Sequence, residues 1–419
     1  MASPKSPARV IQTTRYVPPP QNLPILGKMD PRDITFIGET NYADALEEKR
    51  FIFGIKKEDR RRHVYIAGKS GSGKTKLLES MVRQDIKGGH CMIIIDTQGG
   101  LADEVQNSEG ISSERLVHLD LRKDTNTWNP LESVPVSARH ETAENIVELI
   151  SGMAEGSWNA ELEYLARMSV LALFDLPGVT LGDMRSLLLE NSLRERAASS
   201  STDSMVRRFW AEEYSSWRER YESTAILPMQ NIWSKLLGVP GLQTILSSAS
   251  GSFRMDEIIR GEKILLVVLP ASRIGPIPAS FGVGLILGAL KAALSITHPP
   301  VGRDAYLYVD ELFGSGGGAY ERLLPIARQG GLATVVSHQY GAQMSQKPLT
   351  AILGAVGTVI LFRLSGEDAN RLRTELGSVF EAKDILSLGL GEYYIKLLID
   401  GEASEPFSAR TLRIQSSPR

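Results

Sequence analysis

At 419 residues, with 42% apolar and 23% charged residues, the chain has the length of one large domain or two smaller ones and an ordinary globular composition. A formal net charge of -2 excludes binding of nucleic acid through overall basicity, so any such contact has to come from a local patch or from several subunits converging on one channel. The single cysteine, Cys91, allows no intrachain disulfide and fits a reducing cytoplasm, and the six scattered histidines show no metal spacing.

Met1 to Gly27 is rich in Ser, Pro and Arg and reads as a disordered tail, without the apolar core of a signal peptide. The first part of an α/β domain is expected over 28–133. Short strands and turns fill Asp33 to Lys57, a strand runs from His63 to Ala67, a helix from Lys76 to Lys87, and buried strands cover Cys91–Asp96 and Leu116–Leu119. Residues 134–250 read as an inserted all-α domain: Ile146, Leu149, Ile150 and Met153 fall at helical spacing, as do Trp210, Tyr214, Trp217 and Tyr221, with Ser199–Ser204 as a loop. The α/β pattern resumes over 251–419. Strands are expected at Ile264–Leu269, Tyr306–Asp310, Leu332–Ser337, Thr358–Leu364 and Tyr393–Ile399, and helices at Phe281–Ser295, Tyr320–Gln329 and Glu367–Leu376. Uniformly apolar strands alternating with helices predict a mostly parallel sheet covered on both faces. The apolar stretch Phe281–Thr297 is short and interrupted by Lys291, so it reads as a buried helix and the chain as one without a membrane segment.

Between the first strand and helix lies Gly68-Lys69-Ser70-Gly71-Ser72-Gly73-Lys74-Thr75, a full phosphate-loop octet in its required context. The glycines let the backbone wrap an anion, and the amides and helix start from Gly68 through Lys76 supply partial positive charge. Lys74 is expected on the β- and γ-phosphates of ATP, and the Thr75 hydroxyl on Mg²⁺. Tyr306-Leu307-Tyr308-Val309-Asp310-Glu311 has the Walker B form: Asp310 would hold the Mg²⁺ shell and Glu311 would activate the attacking water. Gln339, closing the next strand, is either a γ-phosphate sensor or a solvated strand end. Arg328, at the end of a helix, either favours the helix dipole or is a finger reaching a neighbour's ATP, with Arg363 as a rival. His338 has no evident partner and reads as structural.

Two basic segments are candidates for DNA contact. Arg60, Arg61 and Arg62 precede the phosphate-loop strand, and Arg207, Arg208, Arg218 and Arg220 accompany the aromatic stripe Trp210–Tyr221. For the stripe the simpler reading is core packing beneath a charged solvent face.

Together these segments resemble the HerA/FtsK superfamily of P-loop ATPases, and within it the type IV secretion coupling proteins, over roughly residues 33–413. The resemblance is carried by Asp59-Arg60-Arg61-Arg62-His63, Trp128-Asn129-Pro130-Leu131, Arg207–Trp210 with Pro228–Asn231, and Asp310-Glu311 followed by Ala327–Leu332 and Ser337–Gln339. Phe362-Arg363-Leu364 with Glu367-Asp368-Ala369 completes it. It implies a RecA-like ATPase domain split by the all-α insertion, a homohexameric ring hydrolysing Mg-ATP between subunits, and DNA drawn through the centre. It favours Arg328 as a trans-acting finger and Gln339 as a sensor. It further implies a secretion, relaxase or nuclease partner, and a cytoplasmic protein brought to the membrane through that partner. A genome-packaging or end-processing ATPase, or a slowly hydrolysing assembly module, is the alternative. The chain departs from the family in showing no N-terminal membrane helices and in the loop Asp96-Thr97-Gln98-Gly99-Gly100, where relatives often carry a Pro and a further acid.

Overall fold

The computed structural model describes residues 14–42, 50–108, 111–122, 126–132, 134–300, 303–339 and 346–412. Its centre is an 11-stranded sheet in the order β2-β1-β13-β10-β9-β3-β8-β7-β4-β6-β5. Seven strands form the parallel part: β9 (Thr358–Phe362), β3 (Val64–Ala67), β8 (Leu332–His338), β7 (Ala305–Asp310), β4 (Cys91–Asp96), β6 (Ile264–Val268) and β5 (Leu116–Asp120). β10 (Glu392–Lys396), β13 (Phe407–Arg410), β1 (Ile34–Thr40) and β2 (Ile52–Lys56) extend it antiparallel, while β11 (Leu398–Ile399) and β12 (Glu402–Ala403) form a small separate ribbon.

The apolar strands sort their side chains by the period of two. Val64, Ile66, Met92 and Ile94 face one layer with Leu77, Leu78 and Met81 of the helix Lys74–Lys87. Tyr65, Ala67, Ile93 and Ile95 face the other layer with the helices Pro276–Leu294 and Gly316–Gln329. Pro276–Leu294 is long and apolar enough to cross a membrane by composition, yet 72% of its apolar window is buried against the rest of the chain.

Between β5 and β6 the described residues form helices only, from Arg139–Ser151 to Met255–Arg260. These helices share one hydrophobic cluster with the sheet layer. The helix Arg139–Ser151 is also tied across by polar contacts, with Arg322 bonding Asn145 Oδ1 at 2.9 Å and pairing with Glu148, and Lys291 pairing with Glu141.

Three sequence expectations change, and the alternative left open for the aromatic stripe closes on its simpler reading. Residues 1–13 of the expected tail lie outside the described residues, but Thr14 to Gly27 is packed: Tyr394 donates to the Arg15 carbonyl at 2.9 Å, Val17 N–H to Ser408 Oγ at 2.9 Å, and Leu23 is buried. The loop at Ser199–Ser204 shrinks, because the helix Asn191–Ser200 runs through its start and Asp203 caps the next helix by accepting from Met205 and Val206 N–H. The aromatic stripe is core. Phe209, Trp210 and Tyr214 are buried, Trp210 Nε1 donates to the Met168 carbonyl at 3.2 Å, and Tyr214 to Leu188 at 2.9 Å. Its rings are therefore taken by packing rather than offered for base stacking. Of the basic run, Arg60 is fully buried with two bonds to Asp85 at 2.7 Å, and Arg61 bonds Asp304 at 2.7 Å. Only Arg62 stays outside an ion pair among the described residues.

Candidate nucleotide-binding site

The phosphate loop leaves the end of β3 and is pinned on three sides by backbone bonds. Gly68 N–H donates to the His338 carbonyl (3.1 Å), Lys69 N–H to Arg363 (2.9 Å), and Gly391 N–H to Ser72 (2.9 Å). This close approach explains two of the glycines. A Cβ on Gly68 would lie 2.6 Å from Phe362 Cβ, and Gly73 combines a φ of 119° with a Cβ position 3.0 Å from Gly391 Cα. Gly73 starts the helix Lys74–Lys87 without a side-chain cap, so the first-turn amides, from Lys74 through Thr75 and Lys76, are donors available to an anion. Ser72 Oγ is buried without a hydrogen-bond partner, and Ser70 and Gly71 lie at the exposed rim. Lys76 directs its side chain away to Glu79 at 2.7 Å. Thr75 is half-buried on the same turn.

The order β3-β8-β7 sets β8 between the loop strand and the acidic strand. Both strands therefore end at the same edge as β8, and their termini meet around it. Lys74 is buried, its ammonium bonded to the carbonyls of Gly68 and Lys69 (3.1 Å). Burial lowers its pKa, and the charges of Asp310 and Glu311 oppose that shift, so the three groups share one electrostatic environment. Asp310 is buried and accepts from Ser337 Oγ at 2.7 Å. Burial pushes its pKa up to about 6; Asp96 and Glu311 add to the rise, while Ser337 and Lys74 work against it. Glu311 adopts a left-handed backbone, φ 65°, which its N–H bond to Ser337 Oγ (3.0 Å) supports. With the Gln339 amide nitrogen oriented toward Glu311, it donates to Oε1 at 2.6 Å and its oxygen accepts from Ser70 N–H at 3.3 Å. Gln339 thus bridges the phosphate loop and the acidic strand. A bare amide cradle, a lysine, a half-buried hydroxyl at Thr75 and a carboxylate with raised proton affinity form a donor set that fits a magnesium-bound triphosphate.

The two candidate arginines lie at opposite ends of the sheet. Arg363 is beside the loop through its carbonyl. Arg328 ends the helix Gly316–Gln329, which runs back from the acidic strand, and it is exposed at the far edge. There Arg62, Arg328 and Lys396 line a cavity of about 430 Å³ with His63, and none of the described residues lining it is acidic. Burial and the Arg328 charge draw the His63 pKa down to about 4, against a bond at Leu324 that favours the proton. His338 is likewise drawn down to about 4 by burial and bonds Tyr65 through Nδ1 at 3.0 Å, which fits a structural role.

Two site residues escaped the sequence reading. Ser337 joins Asp310 and Glu311, and its position just before His338-Gln339 was the available signal. Gln98 donates its side-chain amide to Glu311 Oε2; it sits in the loop that departs from the family pattern, and no spacing rule points to it.

Residues 52–215 match the family described as the type IV secretion-system coupling protein DNA-binding domain. No curated protein matches the chain in sequence. Among solved structures, the bacterial conjugative coupling protein TrwBdeltaN70 aligns with a TM-score of 0.65 at 14% identity over 87% of each chain. TrwB in complex with ADP and Mg²⁺ aligns at 0.64 and 14% over 88% of this chain and 89% of that one. VirB4 of Thermoanaerobacter pseudethanolicus aligns at 0.61 and 12% over 91% and 96%. Over residues 52–215 the chain thus carries the sequence pattern of that family, and over most of its length it has the RecA-like α/β fold of TrwB.

Proposed function

We propose that the chain is an ATP-driven DNA translocase that works as a homohexameric ring, hydrolysing Mg-ATP between subunits in DNA transfer by a type IV secretion pathway. The observation that carries this is the junction of Lys74, Asp310, Glu311 and Gln339 at one sheet edge, with Gln339 bonded to both the loop and Glu311. The description of the matching family, and TrwB with ADP and Mg²⁺, support DNA and Mg-ATP as ligands. Magnesium bound to the triphosphate would neutralise charge on the β- and γ-phosphates. Thr75 and Asp310 are the residues to hold it. Lys74 exchanges its loop carbonyls for phosphate oxygens, the amides of Ser70 to Lys76 cradle the remaining oxygens, and Glu311 accepts the proton of the attacking water. Gln339 reports the state of the γ-phosphate to the loop.

Arg328 is too remote to serve its own subunit's loop. Its exposed position among Arg62 and Lys396, with no acid lining the cavity, supports a role across a subunit boundary. Hydrolysis then alternates two packings of neighbouring subunits, and loops facing the channel move DNA. The chain would act on the cytoplasmic side of the membrane, with a secretion, relaxase or nuclease protein recruiting it.

The test is Mg-ATP hydrolysis with and without DNA, on protein sized by light scattering. DNA-stimulated turnover by a hexamer is expected. A hexamer whose turnover ignores DNA would overturn the translocase reading and favour an assembly module.

A further inference from the structure

We propose that Gln98 is a positioning residue for Glu311, an inference that rests on the hydrolytic role proposed above. Glu311 is gripped from both sides. Gln339, after β8, donates to Oε1, and Gln98, after β4, donates to Oε2. β8 and β4 are the two neighbours of β7 in the sheet, so the carboxylate is held between donors from the strands flanking its own. Two bonds to two oxygens fix the plane of the carboxylate as well as its location, whereas one bond leaves a pivot.

The Gln98 turn is built to be rigid. Asp96 is fully buried, and its Oδ1 accepts the N–H groups of Gln98 (2.8 Å) and Gly99 (2.7 Å) while Oδ2 accepts that of Ala102 (2.7 Å). Thr97 Oγ1 donates to the Asp310 carbonyl at 2.9 Å, and Asp96 pairs in register with Asp310. The backbone carrying Gln98 is thereby locked to the end of the strand that carries Glu311. Beyond Gln98 lies a cavity of about 300 Å³, lined by Gln98 and Glu311 with Ala271, Ile277 and Phe313. Without the Gln98 bond the Glu311 side chain has room to swing into this space, away from the phosphate loop.

The experiment uses the assembled chain and Mg-ATP. Gln98→Ala and the near-isosteric Gln98→Met should each lower kcat roughly tenfold to hundredfold, the loss expected for a misplaced base, with KM and nucleotide Kd within about twofold. In single-turnover assays on a Glu311→Gln background, Gln98→Ala should add less than about twofold, because a residue acting through Glu311 has nothing left to position. Unchanged kcat in both variants, a change in KM alone, or a full-sized effect on the Glu311→Gln background would each overturn the inference while leaving the proposed function standing. If the unsubstituted chain binds Mg-ATP and fails to hydrolyse it, the proposed function falls and this inference with it.

Discussion

The two ends of the parallel sheet are chemically opposite. At the carboxyl end of the strands, Lys74 bonds the loop carbonyls, Gln339 bonds both the loop and Glu311, and Asp310 is held by Ser337, all within the same chain. At the amino end, Arg62, Arg328 and Lys396 surround a cavity of about 430 Å³ and join no ion pair among the described residues. The seven-residue strand β8 separates the two ends by about 20 Å. An arginine at one end therefore cannot stabilise a phosphate at the other within one chain. Two copies packed end against end would bring a cationic surface to an anionic ligand, so the contrast itself argues for assembly as part of the chemistry.

The largest effects should come from the acidic end. Lys74→Ala should weaken Mg-ATP binding at least a hundredfold, measured by nucleotide titration, and Glu311→Gln should retain binding while lowering single-turnover hydrolysis about a thousandfold. Arg328→Ala sharpens the comparison: kcat in the assembled state should fall about a thousandfold with nucleotide Kd nearly unchanged. Mixing inactive Glu311→Gln and Arg328→Ala subunits should restore activity, since roughly a quarter of randomly formed boundaries pair an intact Glu311 with an intact Arg328. If the mixture stays as inactive as its parts, Arg328 does not act across a boundary.

The same contrast separates what could be read in the sequence from what could not. The acidic end was legible because its residues sit at fixed offsets from strand ends: the loop octet after β3, Asp310-Glu311 after β7 and Gln339 after β8. The cationic cavity was not, because Arg62, Arg328 and Lys396 come from three separate elements that only the sheet order brings together. Gln98 was missed for the same reason, its partner lying on another strand. The basic run Arg60–Arg62 looked like one patch in sequence, yet its members part in three dimensions. Arg60 turns inward to Asp85 and Tyr308, while Arg61 goes to Asp304. The aromatic stripe was ambiguous since helical spacing suits core and stacking surface alike. Its two π-helical turns, Phe209–Glu213 and Glu222–Ile226, have no signature in the sequence pattern.

Breaking the buried ion pair at the amino end should cost stability rather than chemistry. Arg60 and Asp85 have side-chain exposures of 0% and 4%, and they join the segment before β3 to the end of the loop helix. Asp85→Ala leaves a buried guanidinium without its carboxylate and should lower unfolding free energy by about 3–5 kcal/mol in chemical denaturation. Arg61→Ala removes a half-exposed guanidinium from the buried Asp304, which keeps Lys57 as a second partner, and should cost less than Asp85→Ala.

A pH dependence differs in sign between the ends. His63, at the cationic cavity, has its pKa drawn down to about 4. Between its ordinary value and 4 the unfolded chain binds a proton that the folded chain refuses, so this group removes stability as pH falls through that window. Asp310, at the acidic end, is pushed up to about 6. There the folded chain takes the proton first, so the group adds stability as pH falls from about 6 toward the ordinary carboxylate range. His63→Asn, chosen because the backbone there is left-handed with φ 64° and Asn tolerates it, should make the unfolding free energy less sensitive to acid than in the unsubstituted chain, by up to about 3 kcal/mol between neutral pH and pH 4. Asp310→Asn should make it more sensitive by a similar amount, with most of the difference developing below pH 6. Urea denaturation across that range separates the two. Burial favours the neutral form of each group, lowering the histidine and raising the carboxyl, so differences of the same sign in both variants would mean that burial does not govern how one of the two ends titrates.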